Sequence, residues 1–167
     1  MASVQSDVTL QQLATELGAA LTERQWHVSA AESCTGGGVA HAITAIAGSS
    51  AWFDMGFVSY ANRAKVQLLG VSEQSLKTDG AVSQTVVEQM ARGALAASGA
   101  QLAVAVSGIA GPDGGTRDKP VGTVWFAWAD AAGRLVSECY VYQGDRAQVR
   151  YQACVTALRE LVRLAQT

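Results

Sequence analysis

Charge of either sign is scarce in this chain, as are cysteine, histidine and proline, and each scarcity removes a class of function. Only 16% of the 167 residues are charged, and 12 basic against 14 acidic residues leave a net charge of −2. Duplex nucleic acid needs clustered lysine and arginine, so it is not an expected partner. Arg146, Arg150, Arg159 and Arg163 are grouped near the C-terminus, and on a helix such a group reads as a solvated face. The three cysteines, Cys34, Cys139 and Cys154, are odd in number and contain no CxxC pair, which fits a reducing compartment better than a disulfide framework. Neither His27 nor His41 stands at metal-ligand spacing from Glu32, Asp113 or Asp118, so no metal site is expected. No apolar run approaches the ~18 residues of a membrane span. Asp7 and the lack of a basic segment before an apolar run speak against a signal peptide, which places the protein in the cytoplasm.

What remains is a chain that is 49% hydrophobic with 17 glycines, without internal repeat or linker, of a length that suits one domain over residues 1–167. Its low polarity suggests that a second subunit covers part of the surface. Trp52 and Phe53 form a bulky apolar patch suited to a homodimer.

Apolar residues at Leu10, Leu13, Ala14, Leu17, Ala20 and Leu21 have helical spacing, with Thr9 and Gln12 as a capping box. A β-like run over residues 26–30 leads into AESCTGGG at 31–38 and a helix over 39–47. A strand over 56–60 is followed by a helix with Asn62 as N-cap, which puts Tyr60 at a strand end and Lys65 in a first helical turn. Ser83 caps a helix through Ala97, with Val87, Met90, Ala91 and Ala94 on one face and Gly99 beyond its end. The apolar run 102–106 reads as a strand covered on both faces. Residues 121–128 and 135–142 make a hairpin, and Asp145 caps a last helix with the stripe Ala147, Tyr151, Cys154, Leu158, Leu161 and Ala165. The order of elements points to a three-layer α/β/α sandwich around a mixed sheet.

Ser33, in a strand-to-helix turn, is the leading nucleophile. The N–H groups of Cys34, Thr35, Gly36 and Gly37, at the positive end of the next helix, are candidate oxyanion donors. The bland alternative is an N-cap serine in a tight turn. Neither histidine has an orienting carboxylate. Lys65 faces the unfavourable end of a helix dipole and, if desolvated, has a lowered pKa and base character. Tyr60 could orient it or relay a proton, or simply pack. Cys34 competes as nucleophile but lacks a partner histidine. The glycines at 36–38 are not a P-loop, because its lysine and hydroxyl are absent. A second glycine-rich loop, from Ser107 to Thr116, offers free N–H groups to a phosphate, with Lys119 nearby, and Arg146 could add a bidentate contact.

Six segments then carry a resemblance: AESCTGGG at 31–38, IAGSSAWFDMGFVSYANRAK at 46–65, DGAVS at 79–83, SGIAGPDGGT at 107–116, KPVGTVWFA at 119–127 and GDR at 144–146. Together they resemble the CinA C-terminal domain family, in particular its stand-alone nicotinamide-nucleotide amidohydrolases, over nearly the whole chain. The resemblance implies hydrolysis of the carboxamide of nicotinamide mononucleotide to nicotinate mononucleotide and ammonia, without a cofactor. It assigns catalysis to Ser33, Lys65 and Tyr60. It assigns substrate contacts to Ser107, Gly108, Ile109, Ala110, Gly111 and Pro112, and to Arg146. Gly38 stands where many relatives have a larger residue, which is expected to loosen the following helix. A non-catalytic nucleotide-sensing or protein-interaction module, linked to competence or DNA damage, is the alternative reading.

Overall fold

The computed structural model describes residues 9–167; Asp7 and the segment read for a signal peptide lie outside the described residues. Thr9 and Gln12 close the capping box of α1 (Leu10–Arg24). Strand β1 (Val28–Glu32) begins two residues later than the apolar run suggests, because the N–H of Trp26 is taken by Leu21 O in the C-cap of α1. Helix α2 (Gly38–Thr44) is shorter than the pattern suggests, and a single 3-10 turn at Ser49–Ala51 leads to the two-residue strand β2 (Phe57–Val58). Helix α3 (Asn62–Leu69) has Ala61, not Asn62, as its N-cap residue. Ser72, Ser83 and Asp145 cap α4 (Glu73–Thr78), α5 (Gln84–Ser98) and α6 (Arg146–Gln166) through their side chains. Strand β3 (Leu102–Gly108) and the hairpin of β4 (Thr123–Asp130) and β5 (Leu135–Val141) complete the sheet.

The sheet runs in the order β2-β1-β3-β4-β5. Strand β1 is parallel to β2 and β3, while β4 is antiparallel to β3 and β5, so the sheet is mixed. Side chains alternate across a pleated strand, and here the alternation also sorts by size. Ala31, Ala103, Ala105, Ala127 and Ala129 face one core with the buried side of α5. Val104, Val106, Phe126 and Trp128 face the other, with residues of α1, α2 and α6. Cross-strand register lines up Ala31, Ala105 and Ala127 in one row, so the alanine face is nearly flat and α5 lies close against it. Helices cover both faces, giving the three layers expected.

Two surface expectations are corrected. Trp52 is only 4% exposed and packs over Gly18, where an added Cβ would meet its ring at 2.7 Å. It closes the α1 side of the core and offers no exposed patch. Tyr151 is 50% exposed and Ala147 is exposed, and Val149, Ala153, Ala157 and Leu164 supply the buried face of α6 in their place. Among the described residues no helix is long and apolar enough to cross a membrane.

Helix α3 reaches α5 at Gly93, where a Cβ would stand 1.9 Å from the carbonyl oxygen of Leu69. Alanine in a helix gains about 1 kcal/mol over glycine. The obstacle is backbone, however, and no rotamer change can relieve it. Gly93→Ala is therefore expected to push α3 outward with a net loss of about 1–3 kcal/mol, read as a lower urea midpoint; an unchanged or raised midpoint would show that the two helices are not packed this closely.

Candidate active site

The carboxyl ends of the three parallel strands converge on one edge of the sheet, the usual place for a site in an open α/β fold. Ser33 follows β1, Ser59 and Tyr60 follow β2, and Ser107 lies near the end of β3. Backbone bonds hold these ends in register: Ser33 N donates to Val106 O at 2.9 Å, and Ser59 N to Glu32 O at 2.8 Å.

Lys65, in the first turn of α3, points back under the end of β2 and is 1% exposed. Its Nζ lies 3.0 Å from Ser33 Oγ, 2.7 Å from Ser59 O and 3.3 Å from Tyr60 O. It forms no salt bridge among the described residues. Burial therefore pushes its pKa below the ordinary lysine value. The three acceptors, two carbonyls and the Ser33 hydroxyl, match the three hydrogens of the charged amine; loss of one proton would leave two hydrogens for the carbonyls and turn the lone pair to Ser33. Ser33 itself is 8% exposed rather than freely accessible.

The segment Ser33 to Gly36 is a tight turn closed by Gly36 N donating to Ser33 O at 3.0 Å. Gly36 and Gly37 then adopt φ of 58° and 97°, a region in which a Cβ is strained, so glycine is required at both. The N–H of Gly36 is consumed inside the turn, whereas those of Cys34, Thr35 and Gly37 have no backbone acceptor among the described residues. The positive end of α2 is not free either. The carboxylate of Glu32, itself 1% exposed, accepts from Val39 N at 2.8 Å and Ala40 N at 3.0 Å. Sequence reasoning passed over this role of Glu32, since a cap from the end of the preceding strand has no local signature.

Burial raises the Cys34 thiol to about 12, so Cys34 is a thiol, not a thiolate, at neutral pH. His41 is exposed, and His27 lies 3.8 Å from Asp54. Neither touches Ser33.

Arg146, at the start of α6, donates to Gly111 O at 2.8 Å and to the phenol oxygen of Tyr60 at 3.2 Å. Tyr60 is 61% exposed and its hydroxyl lies against Arg146, so it is the backbone carbonyl of Tyr60, not its hydroxyl, that meets Lys65. The loop after Ser107 is pinned by Ile109 N to Thr123 O and by Gly122 N to Ile109 O, which brings Gly108, Ile109, Ala110 and Gly111 to the Arg146 side of the site. Lys119 is turned away, its Nζ donating to Asp79 O at 2.7 Å.

The basic group on α6 is not one solvated face. Arg159 and Arg163 are exposed, but Arg150 donates from Nε to Cys34 O at 3.1 Å and from Nη2 to Thr35 O at 3.2 Å. Gly38 does not loosen α2, which begins at that residue. A Cβ there would stand 2.8 Å from Cys154 Sγ, so the sulfur of α6 fills the space that a larger residue at 38 would need.

Comparison with known proteins places these features in a family. The model of the CinA C-terminal domain matches residues 10–165. A nicotinamide-nucleotide amidohydrolase PncC of Enterobacter agglomerans is 57% identical over 162 residues, covering 95% of this chain and 99% of the relative. The protein of the same name from Escherichia coli strain K12 is 55% identical over 156 residues, covering 93% and 94%. Among solved structures, the competence/damage inducible protein CihA from Agrobacterium tumefaciens superposes with a TM-score of 0.92 at 46% identity, over 94% of this chain and 96% of that one.

The lowered pKa of Lys65 has a signature in stability. Between that pKa and the ordinary value of 10.5, the unfolded chain binds a proton that the folded chain does not, so stability rises with pH across this window. Urea midpoints of the wild type, measured against Lys65→Met from neutral pH to about 10.5, should gain relative to the variant as pH rises; a pH-independent difference would mean that Lys65 titrates as a free lysine.

Proposed function

The chain belongs to the CinA C-terminal domain family, and from that premise we propose that it hydrolyses the carboxamide of nicotinamide mononucleotide to nicotinate mononucleotide and ammonia, in pyridine-nucleotide recycling. The observation that carries the mechanism is the buried contact of 3.0 Å between Ser33 Oγ and a lysine without a salt-bridge partner among the described residues. Neutral Lys65 takes the Ser33 proton as the hydroxyl oxygen attacks the amide carbon, which the cationic pyridinium makes more electrophilic. The N–H groups of Cys34, Thr35 and Gly37 are the donors available to the oxyanion. Protonated Lys65 then passes its proton to the departing nitrogen, ammonia leaves, and an ester to Ser33 remains. Water, deprotonated by the same amine, hydrolyses that ester and restores the hydroxyl.

The phosphate of the substrate is assigned to Arg146 and to the loop formed by Ser107, Gly108, Ile109, Ala110 and Gly111. Arg146 presents its guanidinium at the mouth of the site, held there by Gly111 O and the Tyr60 hydroxyl. Tyr60 thus supports the lysine through its carbonyl and the arginine through its phenol. A nucleotide-sensing module would need the loop but would have no use for a desolvated amine against a serine hydroxyl, which costs stability below its shifted pKa.

Ammonia release from nicotinamide mononucleotide provides the test. Ser33→Ala and Lys65→Met should each lower kcat/KM by about 10³-fold or more, since nucleophile and base act as a unit. Cys34→Ala should retain activity, and a folded Ser33→Ala protein with undiminished turnover would exclude the mechanism. Tyr60→Phe should raise KM more than it lowers kcat; a loss in kcat as large as that of Lys65→Met would instead make the phenol a proton relay.

A further inference from the structure

Arg150 makes a contact that the reaction as described does not use. From the second turn of α6 its guanidinium fork spans two successive carbonyls of the nucleophile turn, Cys34 O at 3.1 Å and Thr35 O at 3.2 Å. In a trans peptide the N–H points opposite to the C=O. Anchoring these two carbonyls on α6 therefore turns the N–H groups of Thr35 and Gly36 away from that helix. Gly36 N–H closes the turn on Ser33 O, while Thr35 N–H has no backbone acceptor among the described residues.

A second observation bears on the same peptides. Threonine in a turn commonly bonds a nearby N–H through its own hydroxyl. Here Thr35 Oγ1 is buried and has no hydrogen-bond partner among the described residues. An orphaned buried hydroxyl costs stability. The turn is closed from within by Gly36 N–H on Ser33 O and Gly38 N–H on Thr35 O, both at 3.0 Å, and Arg150 is the side chain that adds to this by holding the Cys34 and Thr35 carbonyls together while Thr35 N–H stays uncommitted. Lys65 and Glu32 do not supply that restraint, because Lys65 bonds Ser33, Ser59 and Tyr60, and Glu32 bonds the N-terminus of α2.

We propose that Arg150 is a positioning residue for the oxyanion donors: its guanidinium fixes and polarises the peptides on either side of Thr35 so that the N–H of Thr35, beside that of Cys34, faces the developing negative charge. A cation at the carbonyl end of a peptide strengthens the N–H end as a donor, and it does so only while the planar fork holds both carbonyls. The role rests on the acyl-transfer reading of Ser33 and deepens it. Lysine keeps the charge but cannot bridge two carbonyls in one plane, so Arg150→Lys is not a conservative change.

The experiment follows kcat and KM for ammonia release in Arg150→Ala and Arg150→Lys, with a serine-directed fluorophosphonate as a second readout. In that second reaction Ser33 Oγ bonds to phosphorus, fluoride leaves, and the serine proton passes to Lys65, so no mononucleotide is needed. Arg150→Ala should lose about 100-fold in kcat with KM nearly unchanged, comparable to removing an oxyanion donor. Its phosphonylation rate should fall in parallel, and added ethylguanidine should restore a measurable part of both. Arg150→Lys, which keeps the aliphatic stem if the alanine variant does not fold, should still lose at least about tenfold in kcat. A folded variant with kcat within about threefold of wild type, or a loss that falls on KM alone or is untouched by ethylguanidine, overturns the role. If the wild type releases no ammonia from the mononucleotide yet Arg150 governs phosphonylation of Ser33, the substrate assignment fails and the positioning role stands.

Discussion

Lys65 is an amine placed where, among the described residues, no acidic side chain meets it. Its three neighbours at Nζ are two backbone carbonyls and a serine hydroxyl. Such a group loses its hydration without gaining a counter-ion, and the free energy balances only if the proton leaves or the folded chain stores the cost. The rest of the site depends on this constraint. A lysine that is neutral at working pH can hold its hydrogens on Ser59 O and Tyr60 O and turn its lone pair to Ser33. A carboxylate in the same position would have kept the proton on the amine and left the hydroxyl inert.

Burying that amine requires α3 to come close to the sheet, and the packing on the α5 face makes this possible. Alanines on β1, β3 and β4 leave a flat floor, α5 lies low on it, and Gly93 admits the end of α3. On the opposite face the large residues, Phe126 and Trp128 among them, fill the space beneath α6, with Trp128 Nε1 donating to Ala157 O at 3.1 Å. The two faces of one sheet thus differ in side-chain size, and Lys65 reaches the site from the alanine-lined layer while Arg146 and Arg150 reach it from the other.

Charge is also divided between layers. Lys65 arrives with α3, while Arg146 and Arg150 arrive with the first two turns of α6, whose start is fixed by the Asp145 and Gln148 capping box. Glu32 neutralises the start of α2, so the donors left near Ser33 are the N–H groups of the turn itself. Tyr60 touches Lys65 through its carbonyl and Arg146 through its hydroxyl.

Local information determined much of this from the sequence alone. The caps at Thr9, Ser83 and Asp145, the buried stripe of α5 and the glycines of the 36–37 turn follow from short-range rules of periodicity, capping and backbone sterics, and so does the expectation that Lys65 opens a helix. Family motifs added the pairing of Ser33 with Lys65, separated by 32 positions. Other features had no local signature because the partner lies far along the chain or on another layer. Tertiary structure alone turned Arg150 inward, 116 residues from the Cys34 carbonyl it binds, set Cys154 Sγ against Gly38, buried Trp52 over Gly18, and gave the Tyr60 carbonyl rather than its hydroxyl to the lysine. A hydrogen bond or a van der Waals contact selects for distance in space, and a chain met one residue at a time carries that distance only where it repeats within a turn of helix or a step of strand.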